Sequence, residues 1–204
     1  LDLKCIERYV NDIKPDVIIN CATHVGSLHY VTDHCADVFF DNVQMVTNLY
    51  KAVQKKHPKS LIVNPIANCG YPPDDSILFE KNFMGGDVHP SVYAYGHSRR
   101  CLLVASKMYR NQYEIRSNNL LIPNAFGPGD SWDPNRAHAI NGMVIRLIKA
   151  KKNNDNNFVI WGTGKPIREW AYVDDISRLL ILSINHQESI IEPVNFGQGV
   201  GVSI

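Results

Sequence analysis

The residues of this chain that could do chemistry lie in loops that follow apolar stretches. Residues 22–26, 67–71 and 124–130 each come after a run rich in Val, Ile and Leu. Continuous apolar runs of this length are typical of parallel strands that are buried on both faces. In open α/β sheets, ligands bind outside the carboxyl ends of the strands. We therefore expect a site where these loops meet.

Histidines and aspartates between residues 24 and 37 have the residue types that bind metal ions. The set is His24, His29, Asp33, His34 and Asp37. These residues lie where a loop passes into a helix, a setting that favours solvated side chains, and we predict no metal site there.

The elements that position the loops alternate between helix and strand. Apolar spacing predicts helices over residues 3–13, 34–56, 91–113, 137–152 and 173–186. Buried strands are predicted over residues 16–22, 60–66, 115–122, 158–161 and 193–196. Loops rich in Gly and Pro are predicted over 68–90 and 124–136, and loops as long as the first are usually functional or disordered. The alternation predicts an α/β fold with a largely parallel sheet.

Composition and charge exclude several classes of protein. The chain has 21 Lys and Arg against 20 Asp and Glu, so its net charge of +1 draws it to neither nucleic acid nor anionic membranes. We find no apolar run long enough to span a membrane. The N-terminus has neither a signal-peptide layout nor an initiator Met. The five scattered cysteines, which form no CxxC motif, are typical of reduced thiols, so we predict a cytoplasmic protein.

Five segments, taken in chain order, connect the chain with a known family. They are PDVIINCATHVG (15–26), ANCGYP (67–72), YGHSRR (95–100), NAFGPGDSWDPNRAH (124–138) and VIWGTGKPIREWAYVDD (159–175). In order and spacing they resemble the nucleotide-sugar epimerases and dehydratases of the extended short-chain dehydrogenase/reductase family. Within that family they are most similar to the GDP-L-fucose synthases.

The resemblance implies a partial Rossmann-like, doubly wound parallel sheet and the beginning of a smaller C-terminal substrate domain. We expect a dinucleotide-binding domain over residues 1–135 and a substrate-binding part over 136–204, partly interleaved with the sheet. The family's opening strand and GxxGxxG turn have no counterpart here. We therefore expect an internal fragment that binds its cofactor poorly alone, because that turn holds the pyrophosphate.

The resemblance also implies an activity. It points to an NAD(P)-dependent epimerase/reductase that acts on a nucleotide-diphosphate sugar, with conversion of GDP-4-keto-6-deoxymannose to GDP-L-fucose as the leading hypothesis. One alternative is a catalytically impaired module that still binds nucleotide sugars, and another is a different nucleotide-sugar epimerase or dehydratase. The cofactor would be NADP or NAD. A homodimer would form through a four-helix bundle of helices 34–56 and 91–113. The apolar residues Phe39, Val46, Leu102, Leu103 and Met108 are compatible with it, although burial within the monomer would use the same residues.

By the resemblance, Tyr95 exchanges a proton with the sugar oxygen, and Arg99 replaces the family's Lys. A free tyrosine has a pKa of about 10, so it needs a nearby cation, and a residue four positions on lies one helical turn away. Tyr93 with His97 is an alternative register that also lacks the Lys. Ala67 stands where the family has Ser or Thr, so a hydrogen-bond donor to the reacting oxygen is missing.

The remaining site residues also come from the resemblance. Cys69 and His138 correspond to an acid/base pair that epimerises the carbons beside the sugar ketone. The substrate nucleotide would be bound by Arg146, Trp161 and Arg168, since the planar fork of Arg suits a diphosphate. The residues expected near the cofactor are Asp2, Ala22, Asn124 and Ala125.

Overall fold

The computed structural model describes residues 2–73, 77–133, 136–160, 162–186, 190 and 192–204. Its helices are α1 (Leu3–Ile13), α2 (Leu28–Asp33), α3 (Cys35–Lys56), α4 (Tyr93–Tyr113), α5 (Ala139–Lys152) and α6 (Val173–Ile184). Its strands are β1 (Val17–Ile19), β2 (Leu61–Ala67), β3 (Ser117–Ile122), β4 (Asn124–Phe126), β5 (Ile167–Tyr172), β6 (Val194–Asn195) and β7 (Gly201–Ser203).

The main sheet has four strands in the order β1-β2-β3-β6, and all of its pairings are parallel. On one face, α1, α3 and α4 cover a core that contains Tyr50, Ile62 and Leu102. On the other face, α6 packs against Leu61 and Val63 of β2. Helices on both faces of a parallel sheet confirm the predicted α/β, doubly wound fold.

A second sheet was not predicted. In it, β4 pairs with β5 in parallel, and β5 pairs with β7 in the antiparallel sense. The prediction that residues 124–136 form only a loop is therefore wrong at its start. Short strands such as β4 carry little periodicity, and their pairing with distant segments decides their structure. The domain division at residue 135 stays a prediction.

Several element boundaries also differ from the predictions. The first strand covers only Val17–Ile19 instead of residues 16–22. Residues 158–160 form no strand, and Trp161 lies outside the described residues. Helix α5 begins at Ala139 instead of residue 137, because His138 keeps an extended backbone with φ −70° and ψ 164°.

Buried asparagines join the strands of the main sheet. Asn64 accepts a hydrogen bond from Asn20 at 3.1 Å and donates to Asn119 at 3.0 Å and to the Tyr50 hydroxyl at 2.9 Å. Asn119 in turn donates to Ser106 on α4 at 2.8 Å. A shift of one strand by one residue would leave these polar groups without hydrogen bonds. The row of Asn20, Asn64 and Asn119, here called the asparagine ladder, therefore fixes the strand register.

The long loop after β2 is held by one arginine. Arg100 of α4 is 7% exposed and donates to the carbonyl oxygens of Gly70 at 2.7 Å, Gly86 at 2.8 Å and Gly85 at 3.1 Å. The Phe83 ring is fully buried against Gly70, where a Cβ atom would lie 2.3 Å from it. The two ends of the loop are thereby fixed to each other and to α4.

The outer surface of α3 and α4 bears on the predicted dimer. Val46 and Leu102 are buried inside the chain, so of the two possible uses of these residues the structure shows packing within the monomer. Phe39, Phe40 and Met108 are exposed. In the part of the chain that the structure describes, no helix has both the length and the apolar character needed to cross a membrane.

The hydrogen bonds of Arg100 to the long loop give a stability prediction. Arg100→Met removes three buried hydrogen bonds from a charged donor and should lower the free energy of unfolding by about 3 kcal/mol in urea titrations. Arg178→Met is the matched control, because Arg178 is exposed and, among the described residues, pairs with exposed Asp175. It should change the free energy of unfolding by less than about 0.5 kcal/mol. Equal effects of the two substitutions on the free energy of unfolding would contradict the proposed role of Arg100 in holding the loop.

Candidate functional site

The site forms where loops leave three neighbouring parallel strands. Residues 20–26 follow β1, residues 68–71 follow β2, and β4 with its loop follows β3. The carboxyl ends of parallel strands meet at one edge of the sheet, as the sequence predicts for this fold. The amino-terminal turn of α4 adds Tyr95 to this edge.

The Tyr95 side chain is held between an alcohol and a cation. The hydroxyls of Thr23 and Tyr95 are 3.4 Å apart. The guanidinium of Arg99 lies 5.1 Å from the centre of the Tyr95 ring. Burial raises the pKa of Tyr95, while the charge of Arg99 and the hydrogen bond of Thr23 oppose that rise. The structure thus brings Tyr95 and Arg99 together one helical turn apart.

Asn42 connects this pair to the loop after β1. Its side chain is fully buried, and its Oδ1 accepts from Arg99 Nη2 at 2.5 Å, from the His24 backbone N–H at 3.0 Å and from the Thr23 hydroxyl at 3.1 Å. Its Nδ2 donates to the backbone oxygens of His24 at 2.8 Å and Val38 at 2.6 Å. One amide therefore positions both the loop and the cation.

Sequence analysis missed Asn42 and Thr23. A signal for Asn42 was available, since it lies between Val38 and Val46 on the apolar face of a predicted helix. A polar residue at such a position must find buried partners. Thr23 has no comparable signal, because its contact with Tyr95 spans 72 residues of chain.

Arg99 is an unusual cation for its setting. It is 3% exposed, and within the described residues its Nε has no hydrogen-bond partner. A buried donor without an acceptor is costly, and a hydroxyl oxygen of a bound ligand would satisfy it. The exposed, small Ala22 lies on the loop that Asn42 holds. The Arg99 Nε fits a ribose hydroxyl of a dinucleotide, and the small Ala22 fits a dinucleotide that lies against the backbone of the loop.

The alternative register lies elsewhere. The Tyr93 side chain is 52% exposed, and its ring packs against His97 at 4.4 Å between centroids. His97 Nε2 pairs with Asp87 Oδ1 at 2.9 Å. This geometry ties the Tyr93 pair to an exposed carboxylate instead of the Asn42 network and therefore favours Tyr95.

Cys69 lies in a one-turn 3₁₀ helix, Asn68–Gly70, that directly follows β2. Burial raises the pKa of its thiol to about 12, against the opposing charge of Arg99. Its Sγ is 3.9 Å from the backbone oxygen of Ala67. At neutral pH this thiol is protonated, so it is equipped to give a proton before it takes one.

His138 is paired with a carboxylate. Its Nδ1 is 2.9 Å from Asp130 Oδ1, and its backbone N–H donates to Asp130 Oδ2 at 3.1 Å. Burial alone would raise the pKa of Asp130, but the hydrogen bonds from His138 and from the Ser131 amide lower it overall. Because Nδ1 is committed to Asp130, Nε2 is the ring atom that can move a proton.

The predicted cofactor residues have mixed positions. Asp2 caps α1 by accepting from the Lys4 amide at 2.9 Å, so it precedes a helix directly. Asn124 donates to the Glu169 backbone oxygen at 3.0 Å and joins β4 to β5. Ala22 and Ala125 are exposed. The structure gives Asp2 and Asn124 structural hydrogen bonds of their own.

The predicted substrate residues are spread over the second part of the chain. Arg146 of α5 donates to the Val159 backbone oxygen and lies 5.3 Å from the Phe158 ring. Arg168 of β5 is exposed and donates to the Ile167 backbone oxygen at 2.8 Å. Trp161 lies outside the described residues. The structure fixes Arg146 to the 158–159 segment and leaves the fork of Arg168 at the surface.

The histidines near residue 24 have other partners. His24 pairs with Asp41 at 2.8 Å through Nδ1 and with the Tyr30 hydroxyl at 2.8 Å through Nε2. Among the described residues, no three His, Cys, Asp or Glu side chains are grouped as a metal site.

Comparison with known proteins gives a consistent picture. A family model described as "NAD dependent epimerase/dehydratase family" matches residues 1–197. "Probable GDP-L-fucose synthase 1" of Oryza sativa subsp. japonica is 28% identical over 200 residues, which are 98% of this chain and 61% of the relative. "GDP-L-fucose synthase" of Dictyostelium discoideum is 27% identical over 193 residues, 93% of this chain and 60% of the relative. The chain thus spans about 60% of the length of these curated relatives.

Solved structures share the fold. A GDP-L-fucose synthetase from Naegleria fowleri bound to NADP superposes with a TM-score of 0.83 at 24% identity, covering 99% of this chain and 64% of that one. A UDP-glucose 4-epimerase from Thermotoga maritima with UDP-glucose gives 0.82 at 19% identity, covering 99% and 62%. Both are similar in fold to this chain across nearly all of its length.

The protonation state of Cys69 gives a testable pH dependence. At pH 8, a pKa of about 12 leaves about one thiol in 10⁴ ionised. Iodoacetamide should therefore modify exposed Cys35 at least about 100-fold faster than Cys69, as measured by peptide mass spectrometry. The Cys69 rate should rise about tenfold per pH unit up to pH 10. A Cys69 rate that equals that of Cys35 or ignores pH would refute this assignment.

Proposed function

The chain belongs to the NAD dependent epimerase/dehydratase family, and from that premise we propose that it acts as part of an NAD(P)-dependent epimerase/reductase for nucleotide-diphosphate sugars. The leading substrate is GDP-4-keto-6-deoxymannose, with GDP-L-fucose as the product. The names of its relatives support this choice, since those of Oryza sativa and Dictyostelium discoideum are GDP-L-fucose synthases.

The observation that carries the proposal is the Tyr95 phenol held against Thr23 and Arg99. A phenol beside a fixed cation, at the carboxyl edge of the sheet, suits proton exchange with a sugar oxygen. A nicotinamide, when bound, supplies or accepts the hydride. Tyr95 gives its proton to the oxygen, and the charge of Arg99 stabilises the phenolate that is left.

Cys69 and His138 would perform the epimerisation. A proton on a carbon beside a ketone is acidic enough for His138 Nε2 to remove, and Asp130 stabilises the imidazolium that results. The Cys69 thiol, protonated at neutral pH, then delivers a proton to the opposite face of the carbon. The thiolate that remains lies in the field of Arg99. The protonated thiol suits Cys69 to give a proton, and the ring backed by the Asp130 carboxylate suits His138 to take one.

The exposed guanidinium of Arg168 would bind the diphosphate of the substrate, with Arg146 and Trp161 as further members of that subsite. Arg suits this role because its planar fork donates two parallel hydrogen bonds. The cofactor would contact Ala22 and Ala125 through the exposed loop edge, and Arg99 through its unpaired Nε. Asp2 and Asn124 stay candidates near it.

A catalytically impaired binding module is the second candidate. Ala67 has no hydroxyl to donate, and the guanidinium of Arg99 is already anchored to Asn42. Both observations favour a site that keeps its ligand but has lost rate. Ala67→Ser combined with Arg99→Lys separates the candidates, because an impaired module would gain activity by the pair of changes. A different nucleotide-sugar epimerase or dehydratase is a third candidate, which the choice of substrate in the assays below distinguishes.

The assembly and location are proposals as well. A homodimer would use the exposed apolar side chains of α3 and α4, Phe39, Phe40 and Met108. A cytoplasmic location follows from cysteine usage alone. No role in binding nucleic acid or membranes is assigned.

The base of the substrate can be tested by thermal shift. GDP should raise the unfolding midpoint of the chain more than UDP or dTDP at equal concentration, since only bound ligand stabilises the folded state. Arg168→Met should remove the GDP shift, whereas Arg178→Met, on the exposed surface of α6, should keep it. An equal response to all three nucleotides, or a full GDP response in Arg168→Met, would argue against the assigned subsite.

The chemistry can be tested in the longest natural form of the protein that contains this chain. With GDP-4-keto-6-deoxymannose in D₂O, His138→Asn should block incorporation of deuterium beside the ketone, because it removes the base. Cys69→Ala should block inversion at that carbon, because it removes the proton donor on the opposite face. Tyr95→Phe should lower the rate of NADPH oxidation by about 10²–10⁴-fold, because it removes the proton donor. Tyr93→Phe is the matched control. If Tyr93→Phe, and not Tyr95→Phe, lowers the rate, the alternative register is the right one.

A further inference from the structure

The Thr23 hydroxyl lies between the two polar groups that control Tyr95. We propose that this hydroxyl is a rotor, which donates to Asn42 while Tyr95 is neutral and turns to donate to the Tyr95 oxygen when the phenol has lost its proton. Thr23 is then a positioning residue for proton transfer, an inference that rests on the proposed role of Tyr95. No bond forms or breaks at Thr23, and its own proton stays on it.

The Thr23 hydroxyl has one hydrogen for two neighbouring oxygen atoms. A threonine hydroxyl has one hydrogen to donate and can accept at the same time. Thr23 Oγ1 is 3.1 Å from Asn42 Oδ1 and 3.4 Å from the Tyr95 hydroxyl. Thr23 can donate to either oxygen, but its one hydrogen bonds well to only one of them at a time. A phenolate is a much stronger acceptor than a neutral phenol, so the Thr23 hydrogen turns toward Tyr95 when the phenol loses its proton.

Asn42 can lose the hydrogen bond from Thr23 at little cost. Its Oδ1 also accepts from Arg99 at 2.5 Å and from the His24 amide at 3.0 Å. A carbonyl oxygen has two lone pairs, so these two donors satisfy it by themselves. The turn of the Thr23 hydroxyl therefore leaves no buried acceptor unpaired.

The polar groups around Thr23 and Tyr95 are held in place by other contacts. Asn42 is held by its donations to the backbone oxygens of His24 and Val38. Arg99 lies over the ring of Tyr95, and its Nη2 donates to Asn42. In the described part of the chain, the hydrogen bond with Thr23 is the one that the Tyr95 hydroxyl makes. Only the Thr23 hydrogen is left to follow the charge on Tyr95.

The charges around Tyr95 do not offer another group for this role. Arg99 on α4 and the Cys69 thiol after β2 face Tyr95. The thiol is protonated at neutral pH, and the Arg99 guanidinium already donates to Asn42. Next to Thr23, the side chain of His24 is engaged by Asp41 and Tyr30. The response to ionisation of Tyr95 therefore falls to Thr23.

The test is a ¹⁹F NMR titration of the full chain with 3,5-difluorotyrosine in place of tyrosine, a residue that ionises at lower pH than tyrosine does. Tyr95→Phe assigns the Tyr95 resonance. Thr23→Val keeps the shape of Thr23 but removes its hydroxyl, so the midpoint for Tyr95 should move to higher pH. Thr23→Ser should restore the wild-type midpoint. Thr47→Val is the control, because Thr47 bonds only to backbone oxygens of its own helix.

An unchanged Tyr95 midpoint in Thr23→Val, or a failure of Thr23→Ser to restore it, overturns the rotor. Turnover separates this result from the fate of the proposed function. In the longest natural form, kcat for NADPH oxidation should fall about tenfold in Thr23→Val and recover in Thr23→Ser. If the midpoint moves but the wild-type protein turns over no nucleotide sugar, the rotor stands and the proposed function fails.

Discussion

The amide of Asn42 is the interaction on which the candidate site depends. It is fully buried in α3 and gathers the loop after β1 and the cation of α4 on one oxygen. A buried amide with five hydrogen bonds has one orientation, and it passes that orientation to its partners. Tyr95 is positioned indirectly, since Thr23 and Arg99 both reach it from Asn42.

Two further polar networks keep the three loops in place. The asparagine ladder from Asn20 through Asn64 to Asn119 sets where β1, β2 and β3 end relative to one another. Arg100 ties the segment around Gly70 to α4, next to Arg99 in sequence. Neighbouring arginines thus have separate tasks, one in the stability of a loop and one in the charge around Tyr95. Polar satisfaction, as much as apolar burial, gives the site its shape.

The departures Ala67 and Arg99 take a physical meaning from these contacts. Without a hydroxyl at residue 67, the polar neighbour of the Tyr95 oxygen comes from Thr23 on the adjacent loop. Arg99 is longer than Lys and is held at its far end by Asn42, so its charge spreads over the ring of Tyr95. The positive charge is kept, while the geometry by which it acts on the phenol differs.

The sequence by itself determined the alternation of helix and strand, the parallel sheet and the segments that hold Tyr95, Cys69 and His138. These follow from local apolar spacing and from motifs whose residues are close in the chain. Only the tertiary structure decided that Thr23 meets Tyr95 across 72 residues, that Asn42 joins them and that β5 pairs with β4 and β7. It also turned Val46 and Leu102 inward, away from the surface. Contacts between distant segments depend on how the helices pack on the sheet, and no local pattern encodes that packing.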